Sequence, residues 1–347
     1  MTRLQDQGSV ARIEALGCHV PSTVVTTRDL LAERPLLGAL VEGATGVRAR
    51  RTGGDSYDMA VRAVADCFSR SRYTAVDLDL VVCCSITRTK EKRLYFEPSF
   101  ASMIAHEFGA GEALCFDVSN ACAGVMTGIL LVDRMIRRGL ARCGLVLGAE
   151  QATLVSTTAV REIVNARDPQ TASLTLGDSA VAVLVDRAVD ERDRIHDVRL
   201  LTAARFALAC LVMPSDKSQG LAMYTDTRSQ QSEPAMEVWP TFLAEHVPSF
   251  QAEQFDAIIH HQVSARVVEQ LNAVGARMLR TPMPRSPKVL ETYGNTATTS
   301  HFLVLREQLA RHRIAPGSKL LLVPNASGLV TGFMSVTVTS PSTAPVR

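Results

Sequence analysis

The sequence predicts an α/β protein made of two pseudo-duplicated halves, and three observations carry that expectation. Asn120–Leu147 (NACAGVMTGILLVDRMIRRGLARCGLVL) aligns without a gap with Asn295–Leu322 (NTATTSHFLVLREQLARHRIAPGSKLLL) at an offset of 175 residues. Each stretch opens on Asn and small residues, continues with the apolar spacing of an amphipathic helix, and passes a basic turn into an apolar strand. An earlier pair repeats the theme: Val76–Ser85 (VDLDLVVCCS) has the pattern of Gln254–Val263 (QFDAIIHHQV), an acidic start running into a buried strand. Finally, 347 residues with 46% hydrophobic and 21% charged side chains are enough to give two such units a shared core. The join is expected in the charged segment Asp186–Asp197, which divides the chain into 1–190 and 191–347.

Taken in chain order, Met1–Gly8 is polar, and no run approaches 18 apolar residues, so a cytoplasmic protein without a membrane span is expected. A formal charge of +2 implies no nucleic-acid partner. Basic residues gather locally, in Arg48, Arg50 and Arg51 and again in Arg88, Lys90, Lys92 and Arg93. Such runs are either solvated faces or a docking patch for an anionic carrier. Leu80–Cys84 reads as a buried strand, Leu114–Ser119 as a second, and Ala123–Arg138 as the helix that follows. The eight cysteines form no C-x-x-C pair and mostly sit in apolar runs, so reduced thiols are expected rather than disulfides or a zinc ribbon. Ala180–Val185 closes the first half as a strand; Asp256–His260 and Phe333–Thr339 are strands of the second.

Cys122 falls on the turn between a strand and a helix. Unpaired N–H groups at a helix start favour negative charge, so the position is expected to lower the thiol pKa and to offer donors to a thioester carbonyl. Ala121, Ala123 and Gly124 leave room for substrate at the sulfur. His261 ends a strand, and Asn295, in Tyr293-Gly294-Asn295-Thr296, opens the repeated helix of the other half. The duplication therefore predicts that Cys122 and Asn295 meet at one central cleft. His260 and His261 are adjacent on a strand and point to opposite faces, so they do not form one metal site.

NACAG around Cys122, LTLGDSAVAV at Leu174–Val183, HHQVS around His261, YGNT around Asn295 and NASGLVTG at Asn325–Gly332 resemble the ketoacyl synthase III branch of the thiolase superfamily. The resemblance runs from Thr45-Gly46-Val47-Arg48 to the last strand. It implies a five-layer αβαβα thiolase-like fold, a homodimer, and no permanently bound cofactor. Its substrates would be phosphopantetheine-linked thioesters, carried by coenzyme A or an acyl carrier protein. Cys122 would be the acylated nucleophile, and His261 and Asn295 would polarise a thioester oxygen. The N–H groups of Cys122 and Ser327 would form the oxyanion hole, and Arg48 would contact the carrier.

Tyr95-Phe96-Glu97-Pro98-Ser99 further resembles the segment of head-to-head acyl-thioester condensing enzymes, those of olefin biosynthesis and pyrone formation, in which a glutamate reaches the partner subunit's site as a base. The chemistry explains the need. Decarboxylation of a malonyl group yields an enolate unaided, whereas a simple acyl thioester must lose an α-proton to a placed base. Glu97 is thus the expected base of a non-decarboxylative Claisen condensation giving a β-keto product, or a pyrone after cyclisation. Decarboxylative condensation, acyl transfer to an oxygen or nitrogen nucleophile, and a non-catalytic partner subunit remain open alternatives. The chain departs from the resemblance in two places. Its C-terminal turn, with Pro324 and Asn325, is less glycine-rich, and the only tryptophan, Trp239, lies far in sequence from Arg48.

Overall fold

Strand residues of alternating destination set the architecture. In the computed structural model, which describes residues 10–226, 232–247 and 249–343, the first half forms a five-stranded sheet. Its strands are β1 (Ala11–His19), β2 (Leu80–Cys83), β3 (Leu114–Asp117), β4 (Cys143–Glu150) and β5 (Ser179–Arg187), in the order β1-β5-β4-β2-β3. β2 is parallel to β3 and β4, while β5 runs antiparallel to β4 and β1. The second half contributes β6 (Arg194–Thr202), β7 (Ala257–His260), β8 (Ser318–Val323), the short β9 (Asn325–Ala326) and β10 (Val330–Val338). Their order β6-β10-β8-β7 repeats that of the first sheet, with β9 beside β10. The counterpart of β3 is reduced to one parallel bridge between Ala257 and Arg285. Met1–Gly8 lies outside the described residues.

Both sheets are buried on both faces, and the period-two alternation of a strand sends neighbouring residues to different layers. Val81 and Cys83 of β2 join Ala180, Ala182 and Leu184 of β5 in an outer core. That core is covered by α1 (Ser56–Ser69) and α2 (Phe100–Phe108). Leu80, Val82, Val181 and Val183 point the other way, onto α3 (Gly124–Arg137). In the second sheet, Ile258, Leu321 and Phe333 meet α4 (Ser232–His246) and α5 (Ala265–Leu279). Ile259, Leu322 and Met334 turn inwards to α6 (Ser300–Ala310). α3 and α6 share one apolar cluster with inward residues of both sheets, so together they are the middle layer. The result is the expected αβαβα arrangement.

The repeat is less regular than its gap-free alignment. α3 has 14 residues and α6 has 11. Each is preceded by a tight turn, Ala121–Ala123 or Ala297–Thr299, whose first alanine takes a left-handed φ of 45° or 50°. Matching these two alanines pairs Cys122 with Thr298, one residue on from the Ala297 of the gap-free alignment, and leaves Asn295 before the turn. A longer loop after α6 compensates for its early end, and this hid the shift from the sequence.

The charged join is no slack linker. β5 ends at Arg187 and β6 begins at Arg194. Between them Asp193, with Asp186 of β5, holds the buried Arg12 guanidinium at 3.1 and 2.7 Å. Arg72 and Tyr73 also donate to Asp186. Among the described residues no helix is long and apolar enough to cross a membrane.

Candidate active site

The two tight turns before α3 and α6 pack at the junction of the halves, and a cavity of about 1090 Å³ opens there. Cys122, His261, Asn295 and Ser327 all line it. Cys122 packs against a small apolar cluster of Ala123, Ala326 and Val330, the last two from the second half, which sets it on the shared wall. Much of the remaining wall is apolar, including Val155, Met213, Leu221 and Met223.

Asn295 is positioned by a close crossing of two backbones. Its N–H donates to Thr175 O at 2.9 Å, and its carbonyl accepts from Gly177 N–H at 3.0 Å. Gly294 adopts φ 71°, and a Cβ on Gly177 would fall 2.0 Å from Tyr293 O, so both glycines are required for the crossing. This joins two of the segments that carried the resemblance. Asn295 Oδ1 accepts from Ala297 N–H at 3.0 Å, which leaves its Nδ2 to donate elsewhere.

His261 follows β7 and is held by its own N–H donating to Val323 O at 3.0 Å. Its ring lies 5.6 Å from that of His301, which bonds Val323 O through Nε2. Burial, then the neighbouring His301, pushes the His261 pKa well below the ordinary histidine range, so the imidazole is neutral. His260 turns away, to Asn272 and to an edge contact with Trp239. Trp239 is itself buried in the outer core of the second half.

The expected lowering of the Cys122 pKa is overturned. Its sulfur lies in the wall of the cavity, and burial there pushes the thiol well above its usual range, with Cys210 and Glu150 adding to the rise. The turn separates Cys122 from the first residue of α3, and a partial helix charge does not offset burial there. At neutral pH the pair is a thiol and a neutral imidazole.

Sequence reasoning missed Glu150, the last residue of β4. It is fully buried, lines the same cavity, and accepts four hydrogen bonds. Ile86 N–H and Thr298 Oγ1 reach Oε1 at 2.9 and 2.6 Å; Thr87 N–H and Oγ1 reach Oε2 at 3.1 and 3.0 Å. Burial raises its pKa and the four donors pull it back, to about 7. The signal was available: a carboxylate ending the apolar run CGLVLGA needs buried partners.

Glu97 is not among the cavity's residues. It is exposed, while its neighbours Tyr95 and Phe96 line the cavity and Phe96 remains 87% exposed. The segment is pinned at both ends: Tyr95 N–H donates to Arg88 O, and the first N–H groups of α2 donate to Asp117. Arg48 lines a second cavity of about 450 Å³ with Arg28 and Lys288, and is paired with Glu291 at 2.9 Å. The cavities adjoin: Thr45 and Ser264 line the larger, Gly46 and Ala265 the smaller.

The basic runs are not continuous patches. Arg50 is buried against Leu174 O and Thr27, Arg88 pairs with Asp117, and Lys90 lies 3.5 Å over the Tyr57 ring. All eight cysteines are unpaired.

Two family models match this chain. That of 3-oxoacyl-[acyl-carrier-protein] synthase III covers residues 116–204, and that of its C-terminal domain covers 247–338. The β-ketoacyl-[acyl-carrier-protein] synthase III of Deinococcus deserti is 31% identical, over 96% of this chain and 94% of its own. That of Clostridium novyi is 26% identical, over 92% and 97%. Among solved structures, Xanthomonas campestris OleA with bound lauric acid and lauroyl-CoA has a TM-score of 0.81 at 22% identity, covering 94% of this chain and 99% of that one. Its cerulenin-bound form has a TM-score of 0.82 at 21% identity, covering 97% and 100%. These two structures share the thiolase-like fold. The chain belongs to the 3-oxoacyl-[acyl-carrier-protein] synthase III family, and it is a condensing acyltransferase.

Proposed function

We propose that the enzyme joins two acyl thioesters by non-decarboxylative Claisen condensation through an acyl-Cys122 intermediate. The observation that carries this is the convergence of Cys122, His261, Asn295 and Ser327 on one cavity while Glu97 stands exposed at its rim, free to enter a second copy. In the first half-reaction, the Cys122 sulfur attacks the thioester carbonyl. The thiol proton passes through neutral His261 to the departing thiol, and the N–H groups of Cys122 and Ser327 hold the oxyanion. In the second, the partner subunit's Glu97 takes the α-proton of another acyl thioester. Asn295 Nδ2 and His261 stabilise the enolate oxygen. The carbanion attacks acyl-Cys122, whose sulfur leaves and recovers a proton. One β-ketoacyl thioester and one thiol result.

The exposed Phe96 and its loop support a homodimer in which that loop is covered. The adjoining cavity with Arg28, Arg48 and Lys288 suits the phosphates of a coenzyme A or carrier-protein donor. In this reading the chain divides at 190/191, each half giving one side of the cleft.

Weighing the intact protein after incubation with acyl-CoA or acyl-carrier protein tests the first half-reaction: a gain of one acyl mass is expected, absent in Cys122→Ala. Presenting the acyl enzyme with carboxyl-labelled malonyl thioester or with a simple acyl thioester tests the second. Product from the simple thioester is expected. Product from malonyl alone, with release of labelled carbon dioxide, would favour decarboxylative condensation, the second reading, which the names of the relatives support.

A further inference from the structure

Asn325 is the side chain that the catalytic mechanism leaves unexplained. It is 6% exposed and lines the large cavity, yet neither Oδ1 nor Nδ2 makes a hydrogen bond within the described residues. Among those residues it is the only side chain with two buried polar atoms unmatched. Buried amides are normally satisfied, and a leucine of similar volume would fill the position without that cost. Its surroundings are fixed. β9 pairs Asn325 with Thr331, and the next residue, Ala326, belongs to the apolar cluster on which Cys122 packs. The amide is therefore held one residue from the cluster that seats the nucleophile. Tyr95, on the same cavity, likewise carries a buried hydroxyl without a partner.

A saturated acyl chain offers these groups nothing. An oxygen near the thioester does: a hydroxyl donates to Oδ1 and accepts from Nδ2, and a keto oxygen accepts from Nδ2. We propose that Asn325 is a specificity-determining residue that selects acyl thioesters bearing an oxygen function within the first few carbons of the carbonyl, a hydroxyl before a keto group. The inference rests on acyl-Cys122 formation, in which the acyl carbon passes from the donor sulfur to the Cys122 sulfur and the donor leaves as a thiol.

The test is the rate of mass gain at Cys122 with three coenzyme A thioesters of one chain length: 3-hydroxyacyl, 3-oxoacyl and unsubstituted. The wild-type protein is expected to load the 3-hydroxyacyl group at least about tenfold faster than the unsubstituted one, the effect of one well-made hydrogen bond. Asn325→Leu should bring that ratio close to one and raise the melting temperature, because it removes two unmatched polar atoms. Equal wild-type loading of all three, or a preference that survives Asn325→Leu, overturns this assignment alone. Absence of loading by any thioester overturns the acyl-Cys122 reading and this assignment with it.

Discussion

Glu150→Gln replaces one carboxylate oxygen by an NH₂ group in a site where every neighbour is a donor. Two of those donors are hydroxyls, Thr298 Oγ1 and Thr87 Oγ1, and can rotate to accept instead. The other two are the backbone N–H groups of Ile86 and Thr87, one at each oxygen, and they cannot. Whichever way the amide turns, a buried N–H faces an NH₂. Leaving one such group unmet costs about 1–3 kcal/mol, so at about pH 5, where Glu150 is protonated in the fold, the variant should be destabilised by about that amount. Equilibrium urea unfolding reads this directly, and a variant within about 0.5 kcal/mol of wild type would refute the reasoning.

The pH dependence of that deficit has a definite sign. The folded-state pKa is about 7 against an ordinary 4.5, so across that interval the folded protein binds a proton that the unfolded chain has lost. Wild-type stability contributed at this site therefore falls as pH rises from about 4.5 to about 7 and is level above it. The glutamine variant does not titrate, so its deficit should shrink over the same range. A deficit that stays level over this range and shrinks only below about pH 4.5 would mean that the four donors outweigh burial and keep Glu150 ionised.

Three further outcomes are expected. Gly177→Ala puts a methyl 2.0 Å from Tyr293 O and must break the crossing that holds Asn295, at a cost of about 3 kcal/mol or more in urea unfolding; Gly43→Ala, on an exposed helix position with open space, should be neutral or stabilising by up to about 1 kcal/mol in the same assay. Asp186→Ala leaves Arg12 buried with only Asp193 as its carboxylate partner and should cost about 3–5 kcal/mol in urea unfolding, far more than an exposed pair such as Arg192–Asp190. Since burial keeps Cys122 protonated at neutral pH, its alkylation by iodoacetamide, followed by peptide mapping, should accelerate about tenfold per pH unit from pH 7 to pH 9, and a plateau below pH 8 would contradict the raised pKa.

The layers were legible because strands buried on both faces and an amphipathic helix leave periodic marks, and those marks recur in both halves. The convergence of Cys122, His261 and Asn295 on one cavity also followed from local signals, since each sits where a strand or turn gives way to a helix. What escaped depends on enclosure. A helix start suggested a low thiol pKa at Cys122, but the cavity desolvates the sulfur, and no local pattern reports a cavity. Arg50 sits in a basic run yet is buried against Thr27 and against Leu174, the latter contact formed across 124 residues of chain. The shift that pairs Cys122 with Thr298 was masked because a short helix and a longer loop cancel in a gap-free alignment. Asn325 was visible only as a departure from a glycine-rich turn; its lack of partners required the folded chain.

Mixing two inactive variants tests the central claim most directly. Glu97→Gln keeps Cys122, and Cys122→Ala keeps Glu97. Each alone should fail to condense two simple acyl thioesters, although Glu97→Gln should still acquire an acyl group on Cys122. If Glu97 acts in the partner's site, random reassortment of an equal mixture rebuilds one complete site in each heterodimer, and about a quarter of wild-type condensation should return. Condensation by Glu97→Gln alone, or a mixture no more active than its parts, would contradict the account.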